Sequence, residues 1–169
     1  MYNCFQPYFS WYAFCFRYHE LQPWEGKMHP DKKIILIVDD EADLTWSMTR
    51  HIKRENPNHY VYSAVTGLQA FEMLESIQPD LLITDLRMPG MSGMKLIEKA
   101  RQFNPGIKVI VISAYYSREI EKQLRTLGIN EFIEKPFELK FLCSLSDSLL
   151  ANPVYDQTVH SHYQPGLAN

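Results

Sequence analysis

No stretch of the 169-residue sequence offers the unbroken apolar run of about 20 residues that a membrane-crossing helix needs. The aromatic-rich segment NCFQPYFSWYAFCFRYHEL near the start also lacks the basic lead and small-residue cleavage site of a secretory signal. No membrane partner is expected, and the location expected is cytoplasmic. Cysteine is scarce: Cys4, Cys15 and Cys143 are an odd number without metal-ligand spacing, which argues against a disulfide framework or a zinc site and fits a reducing compartment. A surplus of positive charge is missing too. Seventeen basic residues against 20 acidic ones leave a net charge of −3 and a pI near 6.1, no footprint for a nucleic-acid partner. There is no solenoid-type repeat and no low-complexity tract.

What is present is an alternation. The runs IILIV (34–38), YVYSAV (60–65), LLIT (81–84), VIVIS (109–113) and EFIE (131–134) have strand length, and most are too continuously apolar to own a solvent face. Between them, apolar residues fall three and four apart: Leu44, Met48 and Ile52; Ala70, Leu74 and Ile77; Ile97, Ala100 and Phe103; Ile120, Leu124 and Leu127; Leu142, Leu145 and Leu149. Thr66 with Gln69 forms a capping-box pattern, Ser117 is placed to cap the fourth helix, and Gly128 stands where a left-handed residue would end it. Right-handed crossovers then predict an α/β fold, a doubly wound five-stranded parallel sheet of flavodoxin-like (βα)5 type with strand order 2-1-3-4-5.

In such a sheet ligands bind beyond the carboxyl ends of the strands. The residues found there are Asp39 and Asp40 after the first strand, Asp85 after the third, Ser113 closing the fourth and Lys135 after the fifth. Adjacent strands lie about 4.8 Å apart, so carboxylates from strands 1 and 3 can converge on one small cation. Oxygen-only ligands with room for water suit Mg2+, with Mn2+ as a substitute, rather than zinc. Asp85 is then a candidate nucleophile toward a phosphoryl group, Lys135 a point charge for its oxygens and Ser113 a hydroxyl donor. Asp40 is also placed to cap the first helix, with Glu41 and Asp43 favouring its N-terminal dipole, and both roles are expected of it.

The motifs VDDE (38–41), TDLRMPGMSG (84–93), ISA (112–114) and EKPF (134–137), in this order at matching strand ends, resemble the receiver domain of bacterial two-component response regulators over roughly residues 31–150. The resemblance implies a stand-alone receiver. Asp85 would be the phosphoacceptor, Asp40 and Asp85 direct metal ligands, the backbone carbonyl of Arg87 a third ligand, and Asp39 a ligand largely through water. It further implies a cis Lys135–Pro136 bond, a switch at Ser113 and at Phe132, drawn inward on phosphorylation, and tuning of acyl-phosphate lifetime by Arg87 and Tyr115. The partners implied are a histidine kinase or histidine phosphotransfer protein upstream, and downstream a protein on the face made by the fourth helix, fifth strand and fifth helix.

Two other readings compete: an aspartate-nucleophile phosphohydrolase and a phosphorylation-independent adaptor. The first generally needs an acid two residues after the nucleophile, where Arg87 stands here, and a flavin-binding reading lacks a phosphate loop after the first strand. Residues 1–30 are expected to be an extension outside the fold, with Met28 a possible true start, and residues 151–169 a polar tail too short for a DNA-binding module. His160 and His162 in that tail are too few for a closed metal site.

Overall fold

The computed structural model describes residues 32–115, 117–129 and 131–151. The expected extension and, except for Ala151, the expected tail lie outside those residues. Five strands and five helices alternate: β1 Ile34–Val38, α1 Ala42–Glu55, β2 Tyr60–Ala64, α2 Gly67–Ile77, β3 Leu81–Asp85, α3 Gly93–Phe103, β4 Lys108–Ser113, α4 Arg118–Thr126, β5 Glu131–Glu134 and α5 Leu139–Ala151. All pairings are parallel, and the order is β2-β1-β3-β4-β5 as the sequence predicts. None of the described helices is long and apolar enough to cross a membrane.

Side chains alternate across the sheet, so each strand feeds two cores. Leu36, Val38, Leu82, Val109 and Val111 face α2, α3 and α4, where Leu74, Leu96, Ile97 and Leu124 meet them. Ile35, Ile37, Ile83, Ile110, Ile112 and Ile133 face α1 and α5, against Met48, Ile52, Leu142 and Leu149. This explains the continuous apolar runs: β1 and β3 are buried at every position because both faces are covered. Each such side chain contributes about 1.5–3 kcal/mol relative to exposure. Edge strand β2 is different, with Tyr60 and Ser63 exposed.

The local signals behave as expected at three boundaries. Thr66 Oγ1 accepts the Gln69 N–H, and Gln69 Oε1 reaches back to the Val65 N–H. Ser117 Oγ accepts the Ile120 N–H at 3.2 Å. Gly128 sits at φ +67°, with its N–H on the Arg125 carbonyl and the Ile129 N–H on that of Leu124, a Schellman ending that needs the left-handed residue. Elsewhere the structure corrects the sequence. Val65 lies beyond β2, exposed, because the Asp39 N–H takes the Ala64 carbonyl and closes the ladder one residue earlier. Asp40 does not cap α1: Glu41 is the N-cap residue, without a side-chain cap bond. Phe103 is not core but 44% exposed, with its ring tilted against Phe71.

Candidate functional site

Asp39, Asp40, Asp85, Arg87, Ser113, Tyr115 and Lys135 come to the carboxyl edge of the sheet, whereas Phe132 lies within β5, and the local bonds that place the acids are visible. Asp39 continues from β1 into the loop before α1. There its Oδ1 accepts the Glu41 N–H at 2.9 Å and its carbonyl accepts the Thr45 hydroxyl at 3.0 Å, so the side chain is fixed and buried. Asp85 ends β3, buried, with Oδ1 accepting the Arg87 N–H at 2.9 Å. Behind it, α3 begins so close that a Cβ on Gly93 would overlap the Asp85 carbonyl oxygen, while the Gly93 N–H donates to Leu86 O. The sequence did not single out Gly93, although a Ser-Gly pair opening a helix straight after a turn is a visible cue.

Asp39, Asp40 and Asp85 can each turn one carboxylate oxygen into a cluster whose members lie within 4.8 Å of one another. Lys135 directly follows β5, its N–H donates to the Ser113 carbonyl, and its bond to Pro136 is cis. Its ammonium reaches Asp39 Oδ2 at 2.7 Å, Glu41 Oε1 at 2.8 Å and Asp85 Oδ2 at 2.9 Å. Burial alone would push this ammonium down, but the bonds to Asp39, Glu41 and Asp85 hold it above the ordinary lysine value. Burial pushes the Asp39 carboxyl up, against the pull of Lys135 and the Glu41 N–H. Glu41 is the participant that sequence reasoning missed, because an acid at the start of α1 is already accounted for by the helix dipole.

The donor set fits a hard divalent cation. It is oxygen only, and one of its carboxylates, Asp40, is exposed and open to water. Ser113 is buried at the end of β4, its Oγ accepting the Tyr115 N–H at 3.3 Å. The Arg87 guanidinium lies over the Tyr115 ring, 4.0 Å from its centre. Phe132 already stands inward, 6% exposed in the core under α4.

A family model describing the response regulator receiver domain matches residues 35–146. Among curated proteins, sporulation initiation phosphotransferase F of Bacillus subtilis (strain 168) is 29% identical over 105 residues, which are 62% of this chain and 83% of that protein. A cyclic di-GMP phosphodiesterase of Thermotoga maritima is 32% identical over 128 residues, 76% of this chain. The match spans only 34% of that relative's length. Among solved structures, a CheY-like response regulator receiver domain protein from Methanospirillum hungatei JF-1 superposes with a TM-score of 0.67 at 29% identity, covering 72% of this chain and 95% of the other.

Proposed function

The chain belongs to the response regulator receiver domain family, and on that premise we propose that Asp85 accepts a phosphoryl group from a phosphohistidine on a kinase or phosphotransfer protein. The observation that carries this reading is the Lys135 ammonium bonded to Asp85 Oδ2 beside a convergent acid pair. A carboxylate oxygen of Asp85 attacks phosphorus, the bond to the imidazole nitrogen breaks with its electron pair leaving on nitrogen, and an acyl phosphate remains. Lys135 offsets charge on the phosphoryl oxygens, and the Ser113 hydroxyl, whose oxygen now accepts from Tyr115, keeps its proton to donate to one of them. Asp40 and Asp85 directly, Asp39 largely through water and Arg87 through its carbonyl would hold Mg2+ or Mn2+, which supplies charge neutralisation during transfer.

Arg87 and Tyr115, stacked on each other, add bulk near the phosphoacceptor and favour slow hydrolysis by hindering an attacking water. Because Phe132 is already inward, the switch is read mainly at Ser113 and Tyr115 and in the start of α4, on the α4–β5–α5 face that a downstream protein would bind. Incubation with acetyl phosphate and Mg2+ followed by intact mass tests the assignment. The wild-type protein gains one phosphoryl group, and Asp85→Ala gains none while keeping its fold. A wild-type protein that stays unlabelled would instead be an adaptor that uses the receiver fold for docking alone.

A further inference from the structure

Lys135 has three ammonium protons and three carboxylate partners, but the partners differ in kind. The side chains of Asp39 and Asp85 are 1% and 9% exposed, and both belong to the three-acid cluster. That of Glu41 is 63% exposed and does not belong to it. An ion pair with so solvated a partner adds little to stability, so holding the fold together does not account for Glu41. Its position does. The two buried oxygens that Lys135 occupies, Asp39 Oδ2 and Asp85 Oδ2, lie on acids that a divalent cation in the cluster would also need. An ammonium and a dication sharing those oxygens repel each other, so the ammonium must give ground without leaving the reach of a phosphoryl group on Asp85.

We propose that Glu41 is the positioning residue that makes this possible: its carboxylate, on a long and exposed stem at the rim, keeps hold of Lys135 as Asp39 and Asp85 turn toward a divalent cation. The role is one of reach as well as charge, since Glu41 must span to Nζ from the N-cap position of α1. It rests on the reading of Asp39, Asp40 and Asp85 as a cation site.

The test is a calorimetric Mg2+ titration of the full chain, with no phosphodonor present. Glu41→Gln, which loses the charge, and Glu41→Asp, which keeps the charge but is one methylene shorter, should both weaken Mg2+ binding by about tenfold, the scale of supporting-residue effects at metal sites. In a Lys135→Met background, or in Lys135→Gln should the first fold poorly, the same Glu41 substitutions should change Mg2+ affinity less than twofold. A wild-type affinity in Glu41→Asp would make Glu41 a mere background charge and overturn the inference. So would an undiminished Glu41→Gln effect without Lys135, since Glu41 would then act on the cation itself. If the wild-type protein binds no Mg2+ at all, the cation-site reading fails and the inference fails with it.

Discussion

Asp39 has no exposed surface and sits in a cluster of like charges, so the site concentrates its cost in this residue. Its carboxyl is raised above the usual 3.8, chiefly by burial and further by the Asp85 charge, with Lys135 and the Glu41 N–H opposing. A carboxyl whose folded value is raised binds protons more readily folded than unfolded. Stability therefore falls as pH rises through the window above 3.8, and at neutral pH the ionised form burdens the fold. Asp39→Asn removes the charge while its side-chain oxygen still accepts the Glu41 N–H. In EDTA at neutral pH it should gain on the order of 1 kcal/mol, a few degrees of melting temperature. The same variant should bind Mg2+ more weakly, and a melting temperature below wild type in EDTA would contradict this account. The acids and Lys135 were legible because each residue type is out of place at the end of an apolar run. Glu41 was not, because it follows the acid pair at the start of a helix, where the helix-dipole explanation was already sufficient for it.

Among the elements, α4 is the least anchored. Of its nine residues only Leu124 is buried, whereas α3 buries four of eleven. Its start therefore leans on Ser117, whose hydroxyl takes the Ile120 N–H. Ser117→Ala should cost about 1 kcal/mol locally and speed amide exchange across residues 118–126 about fivefold, with little change in β1 or β3. Uniform acceleration throughout the domain would show that α4 does not open as a separate unit. The strands and helices themselves were largely legible because periodicity reports burial directly: IILIV can only be covered on both faces, and the Leu142, Leu145 and Leu149 spacing lies on one. The misses have tertiary causes. Asp is a good helix cap in isolation, but the Asp39 carboxylate already holds the Glu41 N–H, and α1 starts one residue past the expected Asp40 cap. Val65 has the β-branched shape of a strand residue, yet the chain has already turned toward Thr66 and α2.

For the whole molecule, the groups held in their protonated forms act in one direction. Burial raises the Cys143 thiol from 9.0 to about 11, with Asp147 and Glu55 adding to it against Arg54. Tyr62 is raised above 10.0 by burial and by Tyr60. Lys135 is held above 10.5 by its three acids despite burial. Each keeps a proton that the unfolded chain would release, so each contributes stability that is present below its unfolded value and lost as pH climbs through the folded one. The alkaline decline in melting temperature should therefore begin near pH 9 with Cys143. Cys143→Ala should start about 1 kcal/mol lower, through the lost packing, yet decline less between pH 9 and 11. Parallel curves for the two proteins would rule out the buried thiol as the cause.

The order of the strands along the chain also separates the acids from the lysine that balances them. Asp39, Asp40 and Asp85 all belong to the first half of the domain, on the loop after β1 and at the end of its neighbour β3. Lys135 arrives about 50 residues later, at the end of β5. Along the chain the negative charges thus precede the lysine that balances them, and β5 completes the electrostatics of the domain as it completes the sheet.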